Sequence, residues 1–192
     1  MPKQETIRAM LATGRPLFVG RTCEVVALIL AQPKRASQLI ECLWDEDPGV
    51  ANRAADALER ASCQRPALAA PWTDSLLGLL AEAGQNKLRW NLALIVPRLK
   101  LTVPECRRAA AALRTYLDDR SSIVKTCAMQ GLAELTRQDP SLLPEVLDML
   151  RILARSGTPA QRARGRILLR GLEAPNPDVA RFRQPALNGA RG

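Results

Sequence analysis

Apolar side chains recur at helical spacing in the stretch 117–135. Val124, Ala128 and Leu132 fall at positions i, i+4 and i+8, which places them on one face of an α-helix. Ser121 precedes them, and serine is a residue type that caps a helix by accepting a hydrogen bond from a free backbone N–H. The pattern therefore predicts a helix that begins after Ser121 and packs through this stripe.

The same stripe returns along the chain at a spacing of about 37 residues. A second clear copy comprises Val50, Ala54 and Leu58. Weaker copies lie between and after these two, at Leu88, Leu92 and Val96 and at Gln161, Gly165 and Leu169. A repeat of this length is typical of stacked helix pairs.

The two clear copies also share a polar signature. Asp119 lies five positions before Val124, which Lys125 follows, and Asp45 lies five positions before Val50. This pattern resembles the HEAT-type repeat, over roughly residues 35–173. The resemblance implies an α-solenoid, a right-handed superhelix of antiparallel helix pairs that recognises macromolecular partners.

The breaks between apolar stretches define the predicted domain organisation. We expect an all-α chain of about five antiparallel helix pairs, with a single HEAT-like domain over residues 1–173. Within it, residues 4–32 are a divergent N-terminal cap pair and residues 35–173 carry the repeats. Residues 174–192 have no helical period and are expected to form a flexible basic tail.

Several helix boundaries are predicted from cap residues and prolines. Asp47 before Pro48 is a helix start, and Thr102 with Glu105 three positions later forms a capping box. Pro97 should end or kink the helix that contains Leu92, because proline lacks the backbone N–H of a helix interior.

Composition narrows the functional classes. The five cysteines show no metal-ligand spacing and histidine is absent, which removes the commonest metal ligand and general base. We expect no metal, no cofactor and no catalytic activity, and no small-molecule substrate is evident. No apolar run approaches a membrane span and the first ten residues lack a signal peptide's apolar core. We therefore expect a cytoplasmic protein without a membrane partner.

Positive charge is concentrated at the C-terminal end. Residues 151–192 contain nine arginines against Glu173 and Asp178, within a chain of net charge +9. One predicted helix pair carries a group that we call the basic terminal patch: Arg151, Arg155, Arg164, Arg166 and Arg170. Clustered arginine suits an acidic protein surface or phosphates. A solvated end cap of the solenoid explains the same cluster.

A second group of candidates follows from the resemblance to HEAT repeats. In such solenoids the second helices line the concave surface, which implies a binding face that contains Arg89, Trp90, Lys125 and Arg162. Pairing of these cations with acids, Asp119 above all, would instead orient adjacent repeats. Trp90 is a candidate anchor, although packing between repeats explains it equally well, and Trp44 is expected to lie in the core.

These observations favour a non-catalytic binding or scaffold module that recognises a macromolecular partner on its concave face. A protein partner is favoured over a nucleic acid. The alternative is a nucleic-acid-binding HEAT-like protein. Some HEAT-like proteins are alkylpurine DNA glycosylases that use Trp and Asp in a concave cleft. Neither Asp56 nor Asp118 lies at a spacing from Trp90 that supports such a constellation. A glycosylase is therefore the least favoured of these functions.

Overall fold

A computed structural model describes residues 5–13 and 21–174 of the chain. These residues form α-helices joined by short 3-10 turns and contain no strand, so the all-α prediction is confirmed for this part of the chain. The ten helices are α1 (Ile7–Ala12), α2 (Thr22–Ala31), α3 (Ala36–Glu41), α4 (Pro48–Gln64), α5 (Thr73–Glu82), α6 (Asn86–Ile95), α7 (Val103–Tyr116), α8 (Ser122–Leu135), α9 (Leu143–Ser156) and α10 (Pro159–Glu173). Residues 14–20 within the predicted cap pair and the predicted tail beyond residue 174 lie outside the described residues.

The predicted caps begin the helices where the sequence indicated. Asp47 accepts the N–H of Gly49 over 2.7 Å at the start of α4. At the start of α7, the Glu105 carboxylate accepts the Thr102 N–H over 2.7 Å and completes the capping box. This backbone hydrogen bond holds the pKa of Glu105 below its ordinary value, because it stabilises the charged carboxylate. Ser121 caps α8.

Pro97 ends α6 as predicted. The α-helix stops at Ile95, and a 3-10 turn spans Val96–Arg98, because proline supplies no N–H for the next helical hydrogen bond. Asp139 and Pro140 repeat the Asp-Pro sequence that begins α4, but they do not begin a helix directly. A 3-10 turn at Pro140–Leu142 precedes α9, so this Asp-Pro sequence starts a turn rather than the helix itself.

The apolar stripes form the core. Val124 and Ala128 are fully buried and Leu132 is 2% exposed, and one continuous cluster of buried side chains extends from Ile7 to Leu168. The even-numbered helices pack in succession, α2 on α4, α4 on α6, α6 on α8 and α8 on α10. The stripes of α4, α6 and α8 are thus each buried between two even-numbered helices, whereas in α10 Leu169 is half-buried.

Trp44 is not in the core, contrary to the sequence-based expectation. Leu39, Ile40 and Leu43 are buried as predicted, but Trp44 is 50% exposed. The helix α3 ends at Glu41, and Cys42–Trp44 winds as a 3-10 turn. A 3-10 turn has three residues per turn instead of 3.6, so the side chains that follow point in other directions than in an α-helix. The α-helical spacing that predicted burial therefore does not apply at Trp44.

Candidate functional site

Arg89 is held at the start of α6 by oxygens from two different loops. Its Nε donates to the carbonyl of Ala83 over 2.6 Å, and Nη1 donates to Oδ2 of Asp119 over 2.5 Å. The guanidinium also lies 4.9 Å from the ring centroid of Tyr116, within range of a cation–π contact. The Asp119 side chain is 4% exposed, so the ion pair is an internal contact that joins α6 to the loop before α8.

Asp119 remains a carboxylate despite its burial. Burial alone raises the pKa of this carboxyl group, but hydrogen bonds from the Ser121 N–H and from Arg89 outweigh burial and hold the pKa below its ordinary value. Both bonds stabilise the charged form. Lys125 lies close enough to favour the same charge. The carboxylate is therefore a fixed anchor for the cations around it.

The same aspartate arrangement occurs three times among the described residues. In each case one carboxylate oxygen accepts the backbone N–H two positions later, and the other faces an arginine from an earlier helix. The pairs are Arg8 with Asp45 at 2.6 Å, Arg89 with Asp119 at 2.5 Å and Arg107 with Asp139 at 3.4 Å. The two signature aspartates of the sequence repeat, Asp45 and Asp119, and also Asp139 thus each join an earlier helix to the loop that carries the aspartate.

The four candidates for a concave binding face are all half-buried. Arg162 donates from Nη1 to the carbonyl of Gly157 over 2.8 Å, which parallels the contact of Arg89 with Ala83. Trp90 packs against the core. Lys125 lies on α8 two positions from Ile123, which is 52% exposed. Two positions correspond to roughly 200° around a helix, so Lys125 is turned away from the open side of α8 that Ile123 marks.

The basic terminal patch differs from this internal network. Arg151 forms ion pairs with Asp148 at 3.1 Å and with Glu173 at 2.9 Å. The side chains of the other four members make no hydrogen bond or ion pair with any residue that the structure describes: Arg155, Arg164, Arg166 and Arg170. Arg164 is half-buried and the remaining three are exposed. Among the described residues, these four arginines therefore carry positive charge without a carboxylate partner.

Two exposed isoleucines accompany these arginines, and sequence reasoning missed them. Ile152 on α9 is 63% exposed and Ile167 on α10 is 51% exposed. Ile152 lines an open groove of about 540 Å³ together with Arg151 and Arg155. An analysis based on apolar stripes assigns apolar residues to the core, and Ile152 would be among them. In the structure, α9 buries Val146 and Leu150 but not Ile152. The available signal was the position of Ile152 on the opposite side of α9, beside arginines.

The described residues contain no cluster of three or more Cys, Asp or Glu side chains that could hold a metal ion. Asp56 pairs with Arg60 at 3.2 Å, and Asp118 is exposed. None of the helices in the described part of the chain combines the length and the apolar character needed to cross a bilayer.

A scan against protein-family models finds no match to the chain, and a search of curated proteins finds none either.

Proposed function

We propose that this chain is a non-catalytic binding module that recognises an acidic surface on a protein partner. Its framework is an α-solenoid of about five antiparallel helix pairs similar to HEAT repeats. Two observations support the framework: the even-numbered helices pack in succession, and the aspartate arrangement recurs at Asp45, Asp119 and Asp139. In this proposal the Arg89–Asp119 pair keeps neighbouring helices in register.

The observation that carries the proposal is the unpaired charge of the basic terminal patch. Elsewhere in the described residues, arginines such as Arg98 and Arg114 reach carboxylates at 2.7 and 2.6 Å. Arg155, Arg166 and Arg170 are exposed and reach none among those residues. Arginine is favoured at interface hot spots, and complementary charge steers a partner to its site.

The exposed isoleucines favour a protein partner over a nucleic acid. A surface that binds phosphates gains little from apolar side chains beside its cations, whereas protein interfaces combine an apolar centre with a charged rim. Ile152 and Ile167 supply apolar area on the same helix pair as the patch. Nucleic-acid binding is the second candidate, because unpaired arginines also suit phosphates.

Affinity capture from an extract of the source cells, with and without nuclease, tests this proposal. The patch variant is Arg166→Glu with Arg170→Glu. The matched control is Arg120→Glu with Arg137→Glu, two exposed arginines outside the patch whose side chains also make no hydrogen bond or ion pair with described residues. We expect a protein that survives nuclease, is lost with the patch variant and is retained by the control.

Two outcomes would redirect the assignment. Loss of the captured material after nuclease treatment would support nucleic-acid binding. Loss of binding in Lys125→Gln, with normal binding by the patch variant, would move the contact to the predicted concave face with Trp90. Equal loss in the patch variant and in the matched control would show that overall charge, and not this patch, governs binding.

A further inference from the structure

An exposed tryptophan lies beside two carboxylates where α3 ends. Trp44 is 50% exposed, and Glu41 lies three positions before it at the end of α3. Cys42–Trp44 winds as a 3-10 turn, in which side chains three positions apart lie on the same side. The exposed side chains of Glu41 and Glu46 make no hydrogen bond or ion pair with described residues. We call Glu41, Trp44 and Glu46 the tryptophan surface.

The cations nearby in the chain do not neutralise the tryptophan surface. Arg8 lines the same cleft as Glu41, but its guanidinium is bound by Asp45 at 2.6 Å. Lys34 and Arg35 precede Glu41 by seven and six positions, which is about two turns of helix. The tryptophan surface therefore combines a large apolar side chain with negative charge that no described cation pairs.

The groove on α9 has the complementary properties. Ile152 is 63% exposed and lies with Arg151 and Arg155 in an open groove of about 540 Å³, which is large enough to receive an indole side chain. Arg151 is already paired with carboxylates, so Arg155 supplies the cation without a described partner. Glu173 of α10 reaches Arg151 at 2.9 Å, and Arg170 lies one turn before Glu173. The groove therefore has an apolar floor beside unpaired positive charge.

We propose that the groove on α9 binds a second copy of this chain through the tryptophan surface of that copy. Trp44 of one copy packs on Ile152 of the next, and Glu41 and Glu46 lie beside Arg155. Tryptophan and arginine are the side chains that most often dominate protein interfaces, and opposite charges around them favour this one orientation. The inference rests on the proposed function, because it uses part of the basic terminal patch as a protein-binding surface and assigns its partner.

The contact is heterologous, because its two sides come from different parts of the chain. The helix α3 packs on α1 and α4, whereas α9 packs on α8 and α10. Each copy that uses its groove therefore keeps a free tryptophan surface, and each copy that uses its tryptophan surface keeps a free groove. Contacts of this kind add copies head to tail and leave the assembly open unless a ring closes.

Analytical ultracentrifugation of the full chain tests the proposal. The buffer is reducing, so that the exposed Cys23 and Cys63 form no disulfide between copies. The net charge of +9 opposes non-specific association. We expect the weight-average mass of the wild type to rise between about 10 µM and about 500 µM, the range of a weak contact. A wild type that remains monomeric throughout this range would overturn the proposal.

Two variants each remove one side of the contact. The acidic-side variant is Glu41→Lys with Glu46→Lys, and the groove variant is Ile152→Gln with Arg155→Gln. Each should weaken self-association at least about tenfold, because it removes the opposite charge from one side. Circular dichroism checks the fold of each variant.

The matched control for charge is Glu82→Lys with Asp118→Lys. Both acids are exposed, and their side chains make no hydrogen bond or ion pair with described residues. The control adds the same charge as the acidic-side variant and should associate at least as well as that variant by about tenfold. Equal loss in the control and in the acidic-side variant would overturn the proposal, because overall charge would then govern association.

A mixture of the two variants tests whether one surface binds the other. The acidic-side variant retains its groove, and the groove variant retains its tryptophan surface. We expect the mixture to form a one-to-one pair with the affinity of the wild-type contact and no larger species, although each variant alone remains monomeric. Failure of the folded variants to pair would overturn the proposal, and so would self-association of either variant at the wild-type level.

Affinity capture from an extract separates this inference from the proposed function. The acidic-side variant leaves the basic terminal patch unchanged, so it should capture any other protein as the wild type does. A wild type that captures another protein but remains monomeric would overturn the contact between copies and support the proposed function. A wild type that associates with itself and captures no other protein would support the contact and leave the second copy as the partner of the patch.

Discussion

Arg89 and Asp119 form an ion pair of 2.5 Å between the first turn of α6 and the loop that precedes α8. The two residues are 30 positions apart in sequence, and the carboxylate also fixes the Ser121 N–H that begins α8. A single side chain thus fixes Ser121, the N-cap residue of α8, and binds an arginine of α6. The pair explains why an aspartate recurs five positions ahead of the apolar stripe.

Removal of the Asp119 carboxylate should destabilise the protein. Asp119→Ala leaves the half-buried Arg89 without its counter-ion and removes the acceptor of the Ser121 N–H. We expect a loss of about 2 kcal/mol in the free energy of unfolding, measured by urea denaturation. Asp118→Ala is the matched control, since Asp118 is exposed, and should change stability by less than about 0.5 kcal/mol. Similar losses in both variants would contradict the anchoring role.

Acid should weaken the fold through the same group. The folded-state pKa of Asp119 lies below its unfolded value, so the unfolded state binds more protons in acid. The stabilisation is fully present above the unfolded pKa, near 4, and is lost as the pH falls through the folded pKa. We expect the free energy of unfolding to decrease from about pH 5 downward, with a shallower decrease in Asp119→Ala. Identical pH profiles would rule out this linkage.

The buried stripe of α8 should not tolerate charge. Leu132→Asp places a carboxylate at a position that is 2% exposed, where no partner replaces its hydration. We expect the free energy of unfolding to fall by at least about 3 kcal/mol, or the protein to aggregate. Thermal melting measures the effect. Gln130→Asp is the comparison, because Gln130 is half-buried and bonds Glu134. Repulsion from Glu134 costs a few tenths of a kcal/mol, so equal melting of the two variants would show that the helical phase is wrong.

Gly131 lies where α8 closely approaches α6 and α7. A Cβ at this position would lie 2.5 Å from the Ala93 carbonyl oxygen and 2.9 Å from Cδ1 of Leu113. Gly131→Ala should therefore cost about 1–3 kcal/mol through overpacking, despite the better helix propensity of alanine. Gly78→Ala meets nothing within 4 Å and should be neutral or stabilising by up to about 1 kcal/mol. Chemical denaturation of both variants measures the difference in their free energies of unfolding. A loose contact between α6 and α8 would remove this difference.

Reversal of charge in the basic terminal patch should affect binding and not folding. The exposed side chains of Arg166 and Arg170 make no hydrogen bond or ion pair with described residues, so Arg166→Glu with Arg170→Glu should leave the melting temperature within a few degrees, as expected for surface substitutions. Once a partner is captured, its affinity should fall at least about tenfold, because like charges across an interface repel. Titration calorimetry of this variant against Arg120→Glu with Arg137→Glu measures the difference.

The amino-acid sequence by itself determined the helical class, the buried stripe and most helix starts. Stripe burial at Val124 and Leu132, the Thr102–Glu105 capping box and the helix end before Pro97 all depend on residues within one or two turns of one another. Such local patterns are visible in a single sequence because helix period, caps and prolines act over short distances.

Only the tertiary structure decided which polar and apolar side chains remain free. The partners of Arg89 and Asp45 lie 30 and 37 positions away, so their neutralisation depends on how distant elements pack. Trp44 is exposed because a 3-10 turn interrupts the helical period that predicted its burial. The fold follows from repeated local signals, whereas the packing of distant elements decides which arginines of the patch remain unpaired among the described residues.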